Sequence, residues 1–250
     1  MDLRWEILSG YGPLFVSGLL MTIQLTLVAI SAGLVLGVLF GLVSSSADAP
    51  QPSARLAAWA LKLARGFTLA YVTFFRGTPL FVQILLVHFA VMPMLVHPDH
   101  GVLLSGELAR SFRQEHGAFL SGCVALSLNA GAYISEIFRA GIQSIHRGQT
   151  QAAYSVGLTH PQAMRFVILP QAFRRMVPAL VNEGVTLIKD SSLVSAIGLA
   201  ELALAARTVA GAYSRYWEPY LAISVLYLML TLVLSMLAKR LEAPAHLRGR

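Results

Sequence analysis

Long uncharged apolar runs alternate along this chain with short segments that carry most of its charged residues. The longest run, Leu14–Val43, contains no charged side chain. As a helix rising about 1.5 Å per residue, it would exceed a hydrocarbon core of about 30 Å. Further uncharged runs of nearly spanning length are Pro79–Val96, Ala118–Ser135 and Pro219–Ala238. The pattern predicts helices that cross a membrane.

We therefore predict an all-α integral membrane protein with about five transmembrane helices. The predicted spans cover about 14–43, 79–96, 118–143, 176–197 and 217–238, and an interfacial helix at 55–75 is expected before the second. Composition agrees, because 56% of the residues are hydrophobic and only 12% are charged, against about 25% charged in soluble domains.

Basic residues in the connecting segments predict the orientation. Lys and Arg are in excess after spans one and three and at the C-terminus, whereas the other two loops are mixed and include Glu115, Glu201 and Glu218. Basic loops usually remain in the cytoplasm. We predict a periplasmic N-terminus and a cytoplasmic C-terminus. Because the +7 net charge clusters beside apolar runs, nucleic acid is not an expected partner.

Small residues add three local predictions. The segment Ser44–Ser53 is rich in Ser, Ala and Pro and is expected to be a linker. Gly33, Gly37 and Gly41 recur every four residues, which favours close helix packing over chance. The single cysteine, Cys123, lies in an apolar run and is expected to be a packing residue.

The segment 148–175 predicts a short cytoplasmic helix. Gly157 can turn the chain, and Thr159 with Gln162 fits a capping box. The helix should run over about 160–168 and end near Leu169, because a proline follows. Such a short helix is unstable alone and must dock on the membrane, on its own bundle or on a partner.

Apolar residues in this helix recur with helical period. They are Ala163, Phe166, Val167 and Pro170, at positions i, i+3, i+4 and i+7. The spacing predicts that they share one apolar face.

The same segment resembles the EAA loop of ABC-importer permeases. The family pattern is Glu-Ala-Ala, three residues, Gly, a variable spacer and Ile-x-Leu-Pro. This chain has Gln151-Ala152-Ala153, Gly157 and Ile168-Leu169-Pro170, so it departs at Gln151 and in the contiguous Ile-Leu-Pro. The family's loop forms a coupling helix that fits a groove on the ATPase. The docking residues that the resemblance implies are Gln151, Ala152, Ala153, Gly157, Thr159, Ala163, Phe166, Leu169 and Pro170.

Three other segments resemble the permeases of the polar amino-acid (His/Glu/Gln/Arg/opine) group, and most closely the glutamate/aspartate members. These segments are Phe75–Leu80, Ala132–Gln143 and Leu187–Leu193. The resemblance implies a single permease domain over 1–250, several times across the bacterial cytoplasmic (inner) membrane. It also implies alternating-access import of a polar amino acid, in the first instance an acidic one.

The resemblance further implies separate partners and no enzyme activity in this chain. No GxxxxGK[ST] phosphate loop occurs in the sequence, so ATP and Mg are expected on an ABC ATPase dimer. A solute-binding protein outside the membrane and a second permease, a different chain or a second copy, complete the expected assembly. No cofactor, catalytic residue or metal site is predicted, since His97 and His100 in a loop are weak indications of a metal.

Polar residues inside the predicted spans are candidates for the substrate pathway, because ionisable groups are costly in lipid. They are Asn129, Glu136, Glu183, Lys189, Asp190 and Ser191. Four of them have a structural alternative. Glu136 could pair with Arg139, Asn129 could bridge two helices, and Lys189 with Asp190 could form an internal network.

The last alternative is that this chain transports its substrate without an ATPase. His88 in span two is expected to pack between helices rather than relay protons, and Pro93 to kink the end of that span. A stand-alone, ion-coupled secondary amino-acid carrier is the competing function. The extramembrane docking segment, and the lack of an inverted repeat visible in the sequence, argue against it.

Overall fold

The computed structural model describes residues 3–46 and 54–246, with side chains up to Arg240. In this part of the chain the regular structure is helical, apart from one isolated bridge between Val96 and Leu104. The predicted all-α class is confirmed. Most of the predicted linker Ser44–Ser53 lies outside the described residues, since 47–53 is not among them.

The described residues in the first half of the chain form five α-helices. A 3₁₀ helix at Trp5–Tyr11 leads into α1. The helices are α1, Gly12–Ser45; α2, Arg55–Gly77; α3, Leu80–Leu86; α4, Met92–Leu95; and α5, Gly106–Gln143. A π-helical turn, Val87–Val91, joins α3 to α4.

The second half, as far as His246, forms five more. They are α6, Arg147–Ser155; α7, His160–Ala163; α8, Leu169–Asp190; α9, Leu202–Tyr213; and α10, Trp217–His246. A second π-helical turn, Met164–Ile168, joins α7 to α8, and a 3₁₀ helix, Ser191–Ile197, follows α8.

Within the described ranges, three helical stretches are long and apolar enough to cross a membrane: Trp5–Ser45, Gly106–Gln143 and Trp217–Arg240. Two bent pairs raise the number to five. Arg55–Gly77 and Leu80–Leu95 are bent by 108°, and His160–Ile197 and Leu202–Tyr213 by 51°. The prediction of about five spans agrees with this count.

Three details of the predicted spans are wrong. The third helix begins at Gly106 rather than near 118. The fourth span is a bent pair whose first part begins well before 176. Glu201 and Glu218 are not surface loop charges, because both side chains are almost fully buried at the starts of α9 and α10. Local hydropathy misplaced them because part of what buries them lies far away in sequence: Glu218 accepts the Arg4 N–H, and Glu201 accepts the Tyr227 hydroxyl.

Contacts divide the chain into two compact units. The first unit comprises Met1–Ser31, Pro79–Ser127 and Gly184–Met236, and the second comprises Ala32–Thr78, Leu128–Glu183 and Leu237–Arg250.

In the first unit, α9 is the centre of one core cluster. Leu202, Ala206 and Ile223 are buried and contact Phe15 and Leu19. Gly18 lies so near the start of α9 that an added Cβ would be 3.1 Å from the carbonyl carbon of Glu201. Cys123 of the same unit is buried and free, as a packing residue should be.

In the second unit, α1, α5 and α8 pack closely. Phe138, Ile145, Ile168, Ala172 and Met176 form its buried cluster. The glycine stripe of α1 faces α5: a Cβ on Gly41 would come within 2.7 Å of the Phe138 Cβ, and one on Gly37 would clash with Ile134. Close packing at these glycines is confirmed.

Each π-helical turn stands just before a proline, Pro93 in one case and Pro170 in the other. A proline ring clashes with the carbonyl four residues earlier and offers no N–H. The wider turn, in which Leu169 N–H bonds to the Met164 carbonyl, accommodates the ring without ending the helix. The predicted helix end near Leu169 is therefore wrong, and the helix continues to Asp190.

Candidate functional site

Residues 147–175 form a hairpin of α6, a tight turn and the α7–α8 arm, here called the docking hairpin. The His146 Nδ1 atom caps α6 by accepting the Gly148 N–H at 3.1 Å. The turn depends on Gly157, whose φ of +82° is strained for any residue with a Cβ. The Leu158 N–H closes the turn on the Ala153 carbonyl at 3.1 Å.

The capping box at the start of α7 is confirmed. Gln162 Oε1 accepts the Thr159 backbone N–H at 2.9 Å. Two side-chain bonds brace the arms of the hairpin: Tyr154 Oη with His160 Nδ1 at 2.8 Å, and Gln171 Nε2 to Gln149 Oε1 at 3.3 Å. Sequence reasoning missed both braces, because neither pair has a local motif.

The predicted apolar face of this arm is wrong. The buried positions are Ala163, Ile168, Ala172 and Met176, whereas Phe166 is 62% exposed and Pro170 is exposed as well. The π-helical turn adds one residue between Ala163 and Ile168. The insertion therefore shifts the later buried positions, Ile168, Ala172 and Met176, away from the face predicted by regular spacing from Ala163.

The predicted docking residues separate into two groups. Ala153 and Ala163 are buried and hold the hairpin together, and Leu169 is half-buried. The others face outward: Gln151, Ala152, Gly157, Thr159, Phe166 and Pro170. Two outward apolar side chains were missed, Tyr154 at 44% and Val156 at 76% exposed. Both residues stand close before Gly157 in the sequence, and this position beside a predicted turn could have indicated that they are exposed.

The docking hairpin is strongly basic. Its charged residues are Arg147, Arg165, Arg174 and Arg175, and the sequence between 147 and 175 contains no Asp or Glu. Arg175 is fixed to the second unit through Nη1, which donates to the Ser144 carbonyl. Arg165 lies beside the exposed Phe166 ring, with 5.5 Å between guanidinium and centroid. The hairpin therefore offers exposed apolar side chains framed by positive charge.

Glu136 on α5 forms an ion pair with Arg139, as anticipated, and a second one with Arg76. Arg139 donates to both carboxylate oxygens, through Nε at 3.1 Å and through Nη2. Arg76, at the end of α2, lies 3.9 Å from Glu136 Oε2 and stacks on Tyr133 at 5.4 Å. One carboxylate thus meets two guanidiniums. The Phe75–Leu80 segment contained this partner, but no local spacing related it to Glu136.

Asn129 bridges two helices, which was the structural alternative to a role in the substrate pathway. Its Nδ2 donates to the Phe75 carbonyl on α2 at 3.2 Å, and the side chain is buried. One residue earlier, the Leu128 carbonyl accepts the Tyr71 hydroxyl at 2.6 Å. Both bonds attach the end of α2 to the middle of α5.

The remaining pathway candidates lie along α8 and the 3₁₀ helix after it. Glu183 is half-buried and belongs to the second unit. In the first unit, Lys189 is exposed, Asp190 is half-buried and Ser191 is buried. The Ser191 hydroxyl donates a hydrogen bond to the Ile188 carbonyl at 2.7 Å. The helical run ends at Gly198, whose φ is +86°.

His88 packs between helices, as expected. Its Nδ1 lies 3.0 Å from Ser121 Oγ, and that hydroxyl donates to the Gly117 carbonyl at 2.7 Å. Because the Ser121 hydroxyl proton is donated to the Gly117 carbonyl, the hydroxyl oxygen accepts and the His88 Nδ1–H donates to it.

Comparisons with known proteins fit this architecture. Residues 52–244 match the family described as binding-protein-dependent transport system inner membrane component. The chain is 33% identical over 242 residues to the glutamine transport system permease protein GlnP of Escherichia coli K12, covering 97% of each. It is 34% identical to the arginine transport system permease protein ArtQ of Bacillus subtilis, covering 92% of this chain and 91% of ArtQ.

A third relative is the glutamate/aspartate import permease protein GltK of Escherichia coli O157:H7, 34% identical over 241 residues, or 96% of this chain and 97% of GltK. Among solved structures, the crystal structure of an amino acid ABC transporter with histidines matches with a TM-score of 0.78 at 35% identity. That match covers 98% of this chain and all of the other.

The fold and the full-length matches define an inner-membrane permease subunit rather than an enzyme. The chain belongs to the family of inner membrane components of binding-protein-dependent transport systems. It is thus the membrane subunit of an ABC importer whose full-length relatives are amino-acid permeases.

Proposed function

We propose that this chain carries polar amino acids across the inner membrane and that the docking hairpin receives the ATPase. One observation carries the docking proposal: Val156 and Phe166 expose 76% and 62% of their side chains on a hairpin that is otherwise capped and braced. Large apolar side chains on a rigid, exposed hairpin are typical of the centre of a protein interface.

The charge of the hairpin supports a protein groove as its counterpart. Four arginines with no acid between 147 and 175 match a partner surface that offers carboxylates around an apolar pocket. Gln151, where the family's motif has Glu, removes one negative charge from this surface. The docking contact in this chain then relies on Phe166 and Val156 and on the arginines.

The assembly we propose has four kinds of component. An ABC ATPase dimer binds ATP and Mg, and this chain holds no cofactor. A second permease, a different chain or another copy of this one, completes the pathway, and a solute-binding protein delivers substrate from outside. Closure of the ATPase dimer would push on the hairpin, and the membrane helices would alternate between outward and inward access.

The proposed topology puts the N-terminus in the periplasm and both the docking hairpin and the C-terminus in the cytoplasm. The basic hairpin supports this orientation through the positive-inside rule. By the same rule, the loop around Leu103 lies on the periplasmic side.

Cysteine labelling tests topology and docking together. Cys123 is the only native cysteine, so Val156→Cys in a Cys123→Ala background gives one exposed thiol. We expect an impermeant maleimide to label it only when the cytoplasmic side is open, and the ATPase to protect it. Leu103→Cys, 73% exposed before mutation, is the matched control and should be labelled in intact cells whether or not the ATPase is present. The opposite sidedness, or no protection by the ATPase, would overturn the proposal.

Acidic amino acids are the substrates we propose to test first. GltK, a glutamate/aspartate permease, supports them, but glutamine and arginine permeases are equally similar to this chain. Uptake of labelled glutamate by the assembled transporter should be inhibited by aspartate more strongly than by glutamine, arginine or histidine. Stronger inhibition by a neutral or basic amino acid would show that the substrate belongs to that class instead of the acidic amino acids.

The pathway residues remain a proposal based on charge. A free amino acid carries an ammonium, which Glu136, Glu183 or Asp190 could meet, and a carboxylate, which Lys189 could meet; Asn129 and Ser191 offer hydrogen bonds. Lys189 is exposed in the described chain. Lys189→Glu should lower uptake and substrate-stimulated ATP hydrolysis, whereas Lys62→Glu, another exposed lysine, should not. Unchanged transport in Lys189→Glu would remove it from the pathway.

The competing function is a secondary carrier that needs no ATPase. Proteoliposomes containing this chain alone separate the two possibilities. We expect no concentrative uptake under an ion gradient until the ATPase and ATP are supplied.

A further inference from the structure

The loop between α4 and α5 brings three metal-binding side chains together within the first unit. His97, Asp99 and His100 each offer one ligand atom, and these atoms lie within 4.8 Å of one another. The two histidines alone were weak indications in the sequence. The structure adds the carboxylate and places all three groups around one point.

Backbone hydrogen bonds fix this loop in shape. His97 N–H bonds to the Leu104 carbonyl at 3.1 Å, Gly101 N–H to the His97 carbonyl at 3.1 Å, and Gly106 N–H to the Pro98 carbonyl at 2.7 Å. A Cβ on Gly101 would clash with the Leu104 carbonyl, so only glycine fits there. The three ligand residues are therefore held by a preformed turn, which lowers the cost of binding an ion.

The side chains within the loop are arranged as ligands. His97 Nδ1 accepts the Asp99 N–H at 3.2 Å and lies 3.8 Å from Asp99 Oδ2, so the His97 ring is held beside the carboxylate. The His97 and His100 rings stack with centroids 3.8 Å apart. The stacking keeps the two imidazoles side by side, and each imidazole has one ring nitrogen available to bind a metal ion.

The ligand set indicates the class of metal. Imidazole nitrogens suit zinc and similar late divalent ions, whereas magnesium and calcium prefer oxygen ligands. Two imidazoles and one carboxylate with an open fourth position are a known zinc ligand set. Asp99 and His100 are exposed, which leaves room for water as the fourth ligand.

We propose that His97, Asp99 and His100 form a binding site for a divalent metal ion of the zinc class, and that the bound ion clamps the loop between α4 and α5. His97 and Asp99 also line a cavity of about 470 Å³, together with His88, Arg110 and Arg113. A bound ion would therefore lie beside this cavity and add positive charge there. It would also link His97 and Asp99, which line the cavity, to His100, which does not.

Zinc binding to the full-length chain tests the site. The chain is purified in detergent through a tag without histidine and titrated with Zn²⁺ alone by calorimetry. We expect one high-affinity ion per chain. Loss of even an outer-shell metal contact commonly weakens binding about 10–100-fold, so His97→Ala, Asp99→Asn and His100→Ala should each weaken it at least about tenfold.

His116→Ala is the matched control. His116 is exposed and lies 3.8 Å from Glu115, but it lacks a third ligand residue in the described chain. Its substitution should leave zinc affinity unchanged, and excess Mg²⁺ should not compete with Zn²⁺. A second readout is thermal stability, which Zn²⁺ should raise in the parent chain and in His116→Ala only.

The proposal is overturned if the parent chain binds no Zn²⁺. It is also overturned if affinity is the same in all three loop variants, since the ion would then lie elsewhere. Neither outcome depends on the ATPase or on the transported amino acid, so failure here leaves the proposed transport function intact.

Discussion

Two helix N-termini in this chain are capped in contrasting ways. At α7, the exposed Thr159 and Gln162 form a capping box within four residues, at the edge of the docking hairpin. At α9, the cap is Glu201, a fully buried carboxylate that accepts the Leu204 N–H at 3.0 Å and the Tyr227 hydroxyl at 2.6 Å. The Leu202 N–H there is 3.4 Å from Thr22 Oγ1.

The difference follows from what each end does. A neutral, local cap leaves the surrounding surface free, and the docking hairpin keeps Val156 and Phe166 exposed. A buried carboxylate must have every oxygen satisfied, so it fastens α9 to α1 and α10 inside the first unit. Substitutions at the hairpin should therefore alter partner binding more than stability, and substitutions around Glu201 should do the reverse.

The largest effect on stability is expected from Glu201→Ala. This change removes the α9 cap and takes from the half-buried Tyr227 hydroxyl its acceptor, a combined cost of about 3 kcal/mol. Thermal unfolding in detergent should show a clear fall in Tm. The control is Glu6→Ala, an exposed carboxylate, which should have little effect. Equal Tm values for the two variants would contradict the anchoring role of Glu201.

Phe166→Ala should have the largest effect on partner binding. The loss of an exposed aromatic anchor from the centre of an interface costs about 2 kcal/mol or more, or over about tenfold in affinity for the ATPase. Stability should be unchanged, because the ring is 62% exposed. Phe89, also a phenylalanine and 65% exposed, is the matched control. If Phe89→Ala weakens ATPase binding as much, the hairpin has no special role.

Gly157→Ala tests the turn that shapes the docking hairpin. An alanine held at a φ of +82° costs about 1–2 kcal/mol. Gly211→Ala is the control, because an added Cβ there meets nothing within 4 Å and φ is ordinary. Binding of the ATPase and Tm should both fall for Gly157→Ala, while Gly211→Ala should match or exceed the parent chain in Tm. A fully functional Gly157→Ala chain would show that the turn does not require glycine.

Tyr227→Phe should give the smallest measurable effect. It removes one hydrogen bond to Glu201 and leaves the α9 cap in place, so about 1 kcal/mol is expected. Tyr220→Phe, at a 41% exposed position of the same helix, should not change Tm. A loss as large as that of Glu201→Ala would mean that the cap contributes little.

Features contained within a few neighbouring residues could be predicted from the sequence. The apolar runs gave the helices and their approximate number, because insertion in lipid depends on local hydropathy. The capping box needed only Thr159, Gln162 and the residues between them. The glycine stripe of α1 indicated close packing, since spacing alone puts Gly37 and Gly41 on one face.

Features that join distant residues needed the tertiary structure. Glu201 looked like a loop charge, because its partner Tyr227 is far away in sequence, as is Thr22, which lies beside the neighbouring Leu202 N–H. Arg76 joins Glu136 only because α2 ends beside α5. Phe166 was grouped with Ala163 on one apolar face, but Phe166 is exposed and Ala163 is buried, because regular helical spacing cannot anticipate the π-helical turn before Pro170.

The amino-acid sequence by itself determined the membrane class, the helical composition and the exposed cap of the docking hairpin, because short-range hydropathy and hydrogen bonding suffice for these. Tertiary structure alone decided which side chains are buried after the π-helical turn, and which groups satisfy Glu201. It also decided that Asp99 shares one point with His97 and His100. Burial and ligand geometry depend on how the backbone turns in three dimensions, and no local pattern of residues encodes that turn fully.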